Sequence, residues 1–349
     1  MFERTGSRYL KFYSCLIYIF SAARGKKVAE LAHNYKKFGE KFHAIEVSDI
    51  GTDQFPDALK GVDAVIHTAA SLAERQAPEV ILASAIEGTL NVVRQAEKAG
   101  IKRIVVTSSI VSVMNPANSF TDQGMTIKLG MFQAYADILS DWHPASKETA
   151  LQGSKFDVYC AAKTLAEKEL WAFSDAHPHL DITTLNPPYL YGPLAETFTL
   201  PTPNYHALST DLYIYRLLDP AGQFMDSPAH ADVRDIAKAH VLALNAPLTS
   251  EVGRKRILIT SPHGFDMAGT LALIAESRPQ LMERLTKGTP PSFGYDRTPI
   301  DFKRVEEVLG MTKDDFQVFE DTILDTVDSL LEVEKQWAAQ GHEVSIPQD

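Results

Sequence analysis

Short apolar runs without alternation, separated by stretches of helical period, recur along the first half of this 349-residue chain. Ala64-Val65-Ile66, Ile104-Val105-Val106 and Ile182 to Leu185 are such runs, and Phe42 to Val47 is another short strand. Strands that are apolar on both sides need cover on both sides, which means a parallel sheet with helices on each face. Helical spacing is found from Lys26 to Phe38, Val80 to Ala99 and Ala161 to Phe173, with a brief turn at Phe55 to Leu59. Gly39 and Gly100 end the first two, as glycine does at helix C-termini. The expected fold is α/β: a doubly wound parallel sheet with a smaller C-terminal α/β portion.

In such sheets ligands bind beyond the carboxyl ends of the strands. Asp49, His67 to Ala70, Thr107 to Ser109 and Asn186-Pro187-Pro188 all fall there. Met114 to Leu151 breaks the rhythm, with a short helix expected over Met131 to Leu139. After Tyr191 the chain changes again, punctuated by Pro193, Pro201, Pro203 and Pro220. Helices are expected at Tyr213 to Leu217, Val233 to Ala246, Met267 to Ala275 and from Phe319 to about Trp337, with a strand at Ile257 to Thr260. The division expected is 1–190 for a nucleotide-binding portion and 191–349 for a substrate portion interleaved with it.

Lys and Arg number 34 and Asp and Glu 45, a formal charge of -11 that argues against nucleic acid as a partner. The two cysteines, Cys15 and Cys160, make no disulfide framework, and a cytoplasmic setting fits best. Arg4, Arg8 and Lys11 ahead of Phe12 to Phe20 resemble a short signal peptide in order. That run is far shorter than the ~20 apolar residues of a membrane span. A buried strand at Leu16 to Phe20 is the simpler account. The histidines His33, His43, His143 and His240 lack metal spacing.

Tyr159 and Lys163 stand four apart in Tyr-Cys-Ala-Ala-Lys, on one face of a helix. An ammonium beside a phenol favours the phenolate and should lower its pKa. The tyrosine can then protonate a carbonyl oxygen as hydride reaches the carbon. Ser109 can donate a hydrogen bond to the same oxygen. Cys160 reads as a buried small residue, His67 as packing, and Asp232, Arg234 and Asp235 as an ion network between the two portions. A tyrosine-lysine pair alone is weak evidence. The order strand, Ser-Ser, insertion, Tyr-x-x-x-Lys helix, strand, Asn-Pro-Pro is far more specific.

That order, with Asp141-Trp-His-Pro144, Tyr159 to Trp171, Asn186-Pro-Pro-Tyr-Leu-Tyr-Gly-Pro193 and Asp232-Val-Arg-Asp-Ile-Ala-Lys-Ala-His240, resembles the extended short-chain dehydrogenase/reductases. The likeness is to their dihydroflavonol reductase-like group, which includes fungal aldehyde, ketone and methylglyoxal reductases. It runs from about Arg24 to Ala339. It implies a Rossmann-like domain and a catalytic set of Ser109, Tyr159 and Lys163. Lys163 would also hold a nicotinamide ribose. Asp49 and Ile50 would flank the adenine, Thr68 and Ala69 would line the cofactor track, and Pro187 and Leu190 would face the nicotinamide. The reaction implied is reduction of an aldehyde or ketone, with sugar-nucleotide epimerisation or dehydration as the alternative. The partners implied are a small carbonyl compound and at most a second copy of the chain, a monomer or homodimer.

The start departs from that pattern. Arg24-Gly25-Lys26-Lys27 resembles the segment after the family's second strand, and no glycine-rich turn precedes it. The first strand and the pyrophosphate cradle are therefore expected to be missing. Three readings follow: an incomplete gene model of an active reductase, a protein in which Phe12 to Phe20 fills the first-strand slot with Ser21 to Gly25 as phosphate loop, or an inactive scaffold. Arg24, Lys26 and Lys27, with no acidic residue before Ala29, favour NADP over NAD.

Overall fold

The computed structural model describes residues 15–19, 33–69, 77–113, 120–121, 124–125, 142–195, 198, 200–224, 229–264, 266–291 and 300–348. Arg24, Ser21 to Gly25, Ala70 and the helix expected at Met131 to Leu139 lie outside these residues, as does most of Lys26 to Phe38.

Four parallel strands form the main sheet: β3 (Ala64–His67), β4 (Arg103–Thr107), β5 (Asp181–Asn186) and β8 (Lys255–Leu258), in the order β8-β5-β4-β3. Among the elements between them are α1 (Pro78–Lys98), α2 (Lys147–Leu151), α3 (Lys155–Ala176), β6 (Tyr189–Tyr191), α4 (Asp211–Arg216), β7 (His230–Asp232) and α5 (Val233–Ala243). Beyond β8 come α6 (Met267–Ser277), α7 (Phe302–Leu309) and α8 (Phe319–Ala339). One face of the sheet packs Ile104 and Ile182 against Val93 and Ala96 of α1 and Leu170 and Trp171 of α3. The other packs Val105, Leu185 and Ile257 against Ile236 and Ala239 of α5 and Val305 and Val308 of α7. The sheet is thus covered on both faces, as the apolar runs require. At the amino ends of the strands Asp181 accepts Lys255 Nζ at 2.5 Å and meets Arg103 Nη2 at 3.0 Å. That ion cluster leaves the carboxyl ends free for a site.

β1 (Cys15–Ile19) and β2 (Phe42–Glu46) form a separate parallel pair, with Cys15 opposite Phe42 and Ile19 opposite Glu46. The strand expected near Leu16 to Phe20 is present, but it does not fill a slot beside β3. That reading of Phe12 to Phe20 is corrected: the run pairs with its sequence neighbour β2, as consecutive parallel strands joined by a crossover commonly do. Among the described residues β3 pairs only with β4, and Ile66 on it is 39 % exposed.

α3 begins at Lys155, not Ala161. Ser154 caps it by a capping box in which Asp157 N–H donates to Ser154 Oγ and Ser154 N–H donates to Asp157 Oδ2. Ser-x-x-Asp serves here as Ser-x-x-Glu does elsewhere, a cap worth about 1 kcal/mol. The reading also omitted α7 and the parallel pairing of β6 with β7.

A second core lies after Tyr191. Ile323, Val327, Leu330 and Trp337 of α8 pack against Leu212 and Tyr215 of α4 and Ile274 of α6. Arg234 bridges this part to α5, with Nη2 2.8 Å from Asp232 Oδ2 and Nη1 2.6 Å from Asp325 Oδ2. Asp211 is buried beside Asp232, and among the described residues its Oδ1 has no hydrogen-bond partner. Burial first, then the charge of Asp232, pushes the Asp211 carboxyl up to about 8. A raised carboxyl contributes stability that is full below about pH 4 and is lost as pH climbs toward 8. Asp211→Asn is therefore expected to stabilise the fold by about 1–3 kcal/mol at neutral pH, after allowance for relaxation around the buried group. Thermal unfolding from pH 5 to 8 checks this. The gain should grow with pH, and a pH-independent loss would rule the assignment out.

Candidate active site

The carboxyl edge of the main sheet carries the site. Ser108 to Ser112 turn sharply after β4, and Ser109 caps that turn by accepting Val111 N–H at 3.3 Å. α3 runs past this turn, and Tyr159 Oη donates to Ser109 Oγ at 3.4 Å, a long contact. The Ser109 hydroxyl accepts two donors, so its own proton is left to donate. One turn along α3, Lys163 Nζ donates to the Thr107 carbonyl at 3.3 Å. The three residues of the expected catalytic set are brought together.

Lys163 also lines a cleft of about 660 Å³, open to solvent, between α1, α3 and the ends of β3 and β4. Ile50, Ala69, Gly88, Val106 and Leu170 give it apolar walls, and Ser84, Thr89, Thr107 and Ser108 add hydroxyls. Of the other expected cofactor residues, Ile50 and Ala69 line this cleft. Asp49 is exposed on the turn after β2, where its Oδ1 accepts Gly51 N–H at 2.8 Å. Thr68 is exposed just beyond β3. Pro187 is buried and its carbonyl accepts Ile110 N–H at 2.9 Å. Leu190 packs into the core under α5.

The electrostatics differ from the sequence expectation at one point. The phenol of Tyr159 is raised: burial pushes it up, and the hydrogen bond to Ser109 only partly offsets this. Burial of the phenol, not the lysine, decides the direction, and the Lys163 ammonium is directed to the Thr107 carbonyl. Burial pushes Lys163 down to about 8, while Glu167 acts the other way. Burial and then the charge of Lys163 push His67 down to about 4, so that imidazole is neutral packing. Burial pushes the Cys160 thiol up to about 12, which makes it inert as a nucleophile.

Four residues that brace the site escaped the sequence reading in that role. His240 Nδ1 lies 2.7 Å from the Ile236 carbonyl and must donate to it. Its Nε2 then accepts from Thr107 Oγ1 at 2.6 Å, which fixes the tautomer and the orientation of Thr107. Glu167 and Arg256 form a buried ion pair behind Ser108, with Arg256 Nε 2.7 Å from Glu167 Oε1. Trp142 lies 3.8 Å from the Arg256 guanidinium carbon. A signal existed: Glu167 is four residues after Lys163, and Arg256 is a charge at the start of an apolar run.

Residues 16–258 match the family described as NAD dependent epimerase/dehydratase. GRP2 of Candida albicans is 30 % identical over 327 residues, covering 88 % of this chain and 89 % of that one. The NADPH-dependent methylglyoxal reductase GRE2 of Saccharomyces cerevisiae is 26 % identical over 334 residues, covering 90 % and 92 %. The crystal structure of yeast methylglyoxal/isovaleraldehyde reductase Gre2 complexed with NADPH superposes with a TM-score of 0.73 at 24 % identity, covering 92 % of each chain. Among the described residues no helix is long and apolar enough to cross a membrane.

Proposed function

Because this chain belongs to the NAD dependent epimerase/dehydratase family, we propose that it is an NADPH-dependent reductase of small aldehydes or ketones. The observation that carries the reading is the Tyr159–Ser109 contact beside Lys163 at the edge of the cleft. The names of its relatives, NADPH-dependent methylglyoxal reductase among them, support the same chemistry.

The donors of the cleft match one half of the cofactor better than the other. One ammonium, several hydroxyls and flat apolar walls fit a ribose and an aromatic ring. Among the described residues no glycine-rich turn at a helix N-terminus stands ready for a pyrophosphate. The fit is thus to the nicotinamide-ribose half. Lys163 and Thr107 would hold the ribose, Ala69 would line the cofactor track, and Ile50 would lie toward the adenine. The bound cofactor would supply the hydride.

The chain's own residues do the rest. Ser109 donates a hydrogen bond to the carbonyl oxygen, keeping its own proton, and steadies the negative charge that develops there. Tyr159, held protonated by its buried setting, gives its phenolic proton to that oxygen. Lys163, fixed by the Thr107 carbonyl, lies one turn away and stabilises the phenolate that remains. A reduced, cytoplasmic compartment goes with the buried free thiol of Cys160.

The test is NADPH oxidation against a panel of aldehydes and ketones, with the alcohol product quantified. One alcohol per NADPH is expected. A nucleotide-sugar isomerised with no net NADPH consumption would move the reading to epimerisation. Calorimetric titration gives a second expected result: NADPH should bind ~10-fold or more tightly than NADH, as the basic Arg24, Lys26 and Lys27 imply. Tighter NADH binding overturns that choice. A folded chain that binds neither would support the scaffold reading.

A further inference from the structure

Tyr159, Lys163 and Glu167 recur every four residues on α3 and share one face. Glu167 is buried at the foot of that face. Its Oε2 accepts Ser108 Oγ at 2.5 Å and Asn186 Nδ2 at 2.8 Å and is in contact with Ser112 Oγ. Its Oε1 accepts Arg256 Nε at 2.7 Å, Trp171 Nε1 at 3.2 Å and Thr184 Oγ1 at 3.2 Å. Two of these partners also hold the backbone of the expected catalytic serine. Ser112 Oγ lies 2.8 Å and Asn186 Nδ2 3.2 Å from the Ser109 carbonyl oxygen.

We propose that Glu167 is the positioning residue of this site: its carboxylate fixes the Ser108–Ser112 turn that presents Ser109, and it supplies the negative charge beside the Lys163 ammonium. This rests on the reductase reading for its purpose, though not for its test. A carboxylate with this many donors is far more than one ion pair needs for packing. Its placement one turn behind Lys163 ties the serine turn and the lysine to a single charge.

Among the described residues the groups around Lys163 are few. Tyr159 and Glu167 face it from its own helix, His67 from β3 and the Thr107 carbonyl from β4. His240 stands behind Thr107 on α5, and Arg256 stands behind Glu167 on β8. The cleft wall from α1 adds hydroxyls and no charged side chain. His67 and His240 are both held neutral by burial. Glu167 is the anion that offsets the desolvation of Lys163. Burial pushes the Glu167 carboxyl up, but the charge and hydrogen bond of Arg256, with Ser108 and Ser112, reverse this and hold it below its ordinary range.

The experiment follows the ¹³Cε resonance of Lys163 through a pH titration, assigned by its loss in Lys163→Arg. Wild type should titrate near pH 8. Glu167→Gln should lower the midpoint by about one unit or more, a ~10-fold change in the ionisation constant. The alkaline limb of kcat should move with it. Glu167→Gln removes the carboxylate opposite Arg256 and can unfold the chain. Glu167→Gln/Arg256→Met removes both charges at similar volume and should also titrate below wild type. A third readout needs no variant: the Glu167 ¹³Cδ resonance should stay at its carboxylate position from pH 5 to 9. An unmoved Lys163 midpoint in either folded variant, or a Glu167 carboxyl that titrates in that range, overturns the proposal. A merely structural glutamate would weaken folding and leave the lysine midpoint in place. If wild type turns over no carbonyl at all, the midpoint still reports on Glu167, so the two failures remain distinct.

Discussion

Tyr159→Phe is expected to lower kcat for carbonyl reduction by about 10²–10⁴-fold, the usual contribution of a positioned general acid. The substitution removes one oxygen and leaves the ring in its pocket against Cys160, Val111 and Ile110. Packing is therefore nearly unchanged, and the thermal midpoint should stay within a few degrees of wild type. NADPH affinity should also hold, because the ribose would be held by Lys163. The loss should then fall on kcat and kcat/KM together, which marks an interaction made only in the transition state. Ser109 would still donate its hydrogen bond, so some turnover above the uncatalysed rate remains. Equal kcat in the two proteins would remove Tyr159 from its role.

The largest effect on stability is expected at Arg256. Arg256→Leu keeps an apolar volume but leaves Glu167 ionised, buried and without its cation. Removing one partner of a buried pair destabilises by about 3–5 kcal/mol. Contact of the guanidinium with Trp142 is lost as well, a further ~1 kcal/mol when desolvated. In wild type the Glu167 carboxyl is held below its ordinary range, so its contribution is present above that range and is lost as pH falls through the folded value. In the variant the hydrogen bonds from Ser108 and Ser112 still oppose burial but the charge of Arg256 does not, so the carboxyl rises relative to wild type and stability falls as pH rises. The gap between the proteins should widen from pH 5 to pH 8. Urea unfolding with an unchanged m-value checks this, and a change in unfolding free energy under ~0.5 kcal/mol would show that the pair contributes nothing.

Much of the fold was legible because apolar runs and their carboxyl-end polar residues have local signatures. β3, β4 and β5 are each within two residues of the runs Ala64 to Ile66, Ile104 to Val106 and Ile182 to Leu185. The placing of Ser109, Tyr159 and Lys163 at one edge followed from strand-helix order. What was not legible depended on pairing. The position of β1 beside β2 is a choice between two available edges, and periodicity does not carry that information. The polarity of the Tyr159 site was misjudged for a related reason. Spacing told of a neighbouring ammonium but not of the desolvation that outweighs it. Glu167 and Arg256 were hidden because a charge in an apolar context reads as a strand boundary until its partner, far along the chain, is seen.

That separation has a kinetic side. Lys163 meets Thr107 across 56 residues, Glu167 meets Arg256 across 89, and Thr107 meets His240 across 133. Contacts of such high contact order must first bear the entropy of closing long loops, and they form slowly. The local capping box of α3 needs none of this. The helix that carries Tyr159 and Lys163 can therefore form early, while the environment that orients them waits for β8 and α5. A nascent or partly refolded chain would hold both reactive residues on a formed helix and still lack the geometry that makes them a pair.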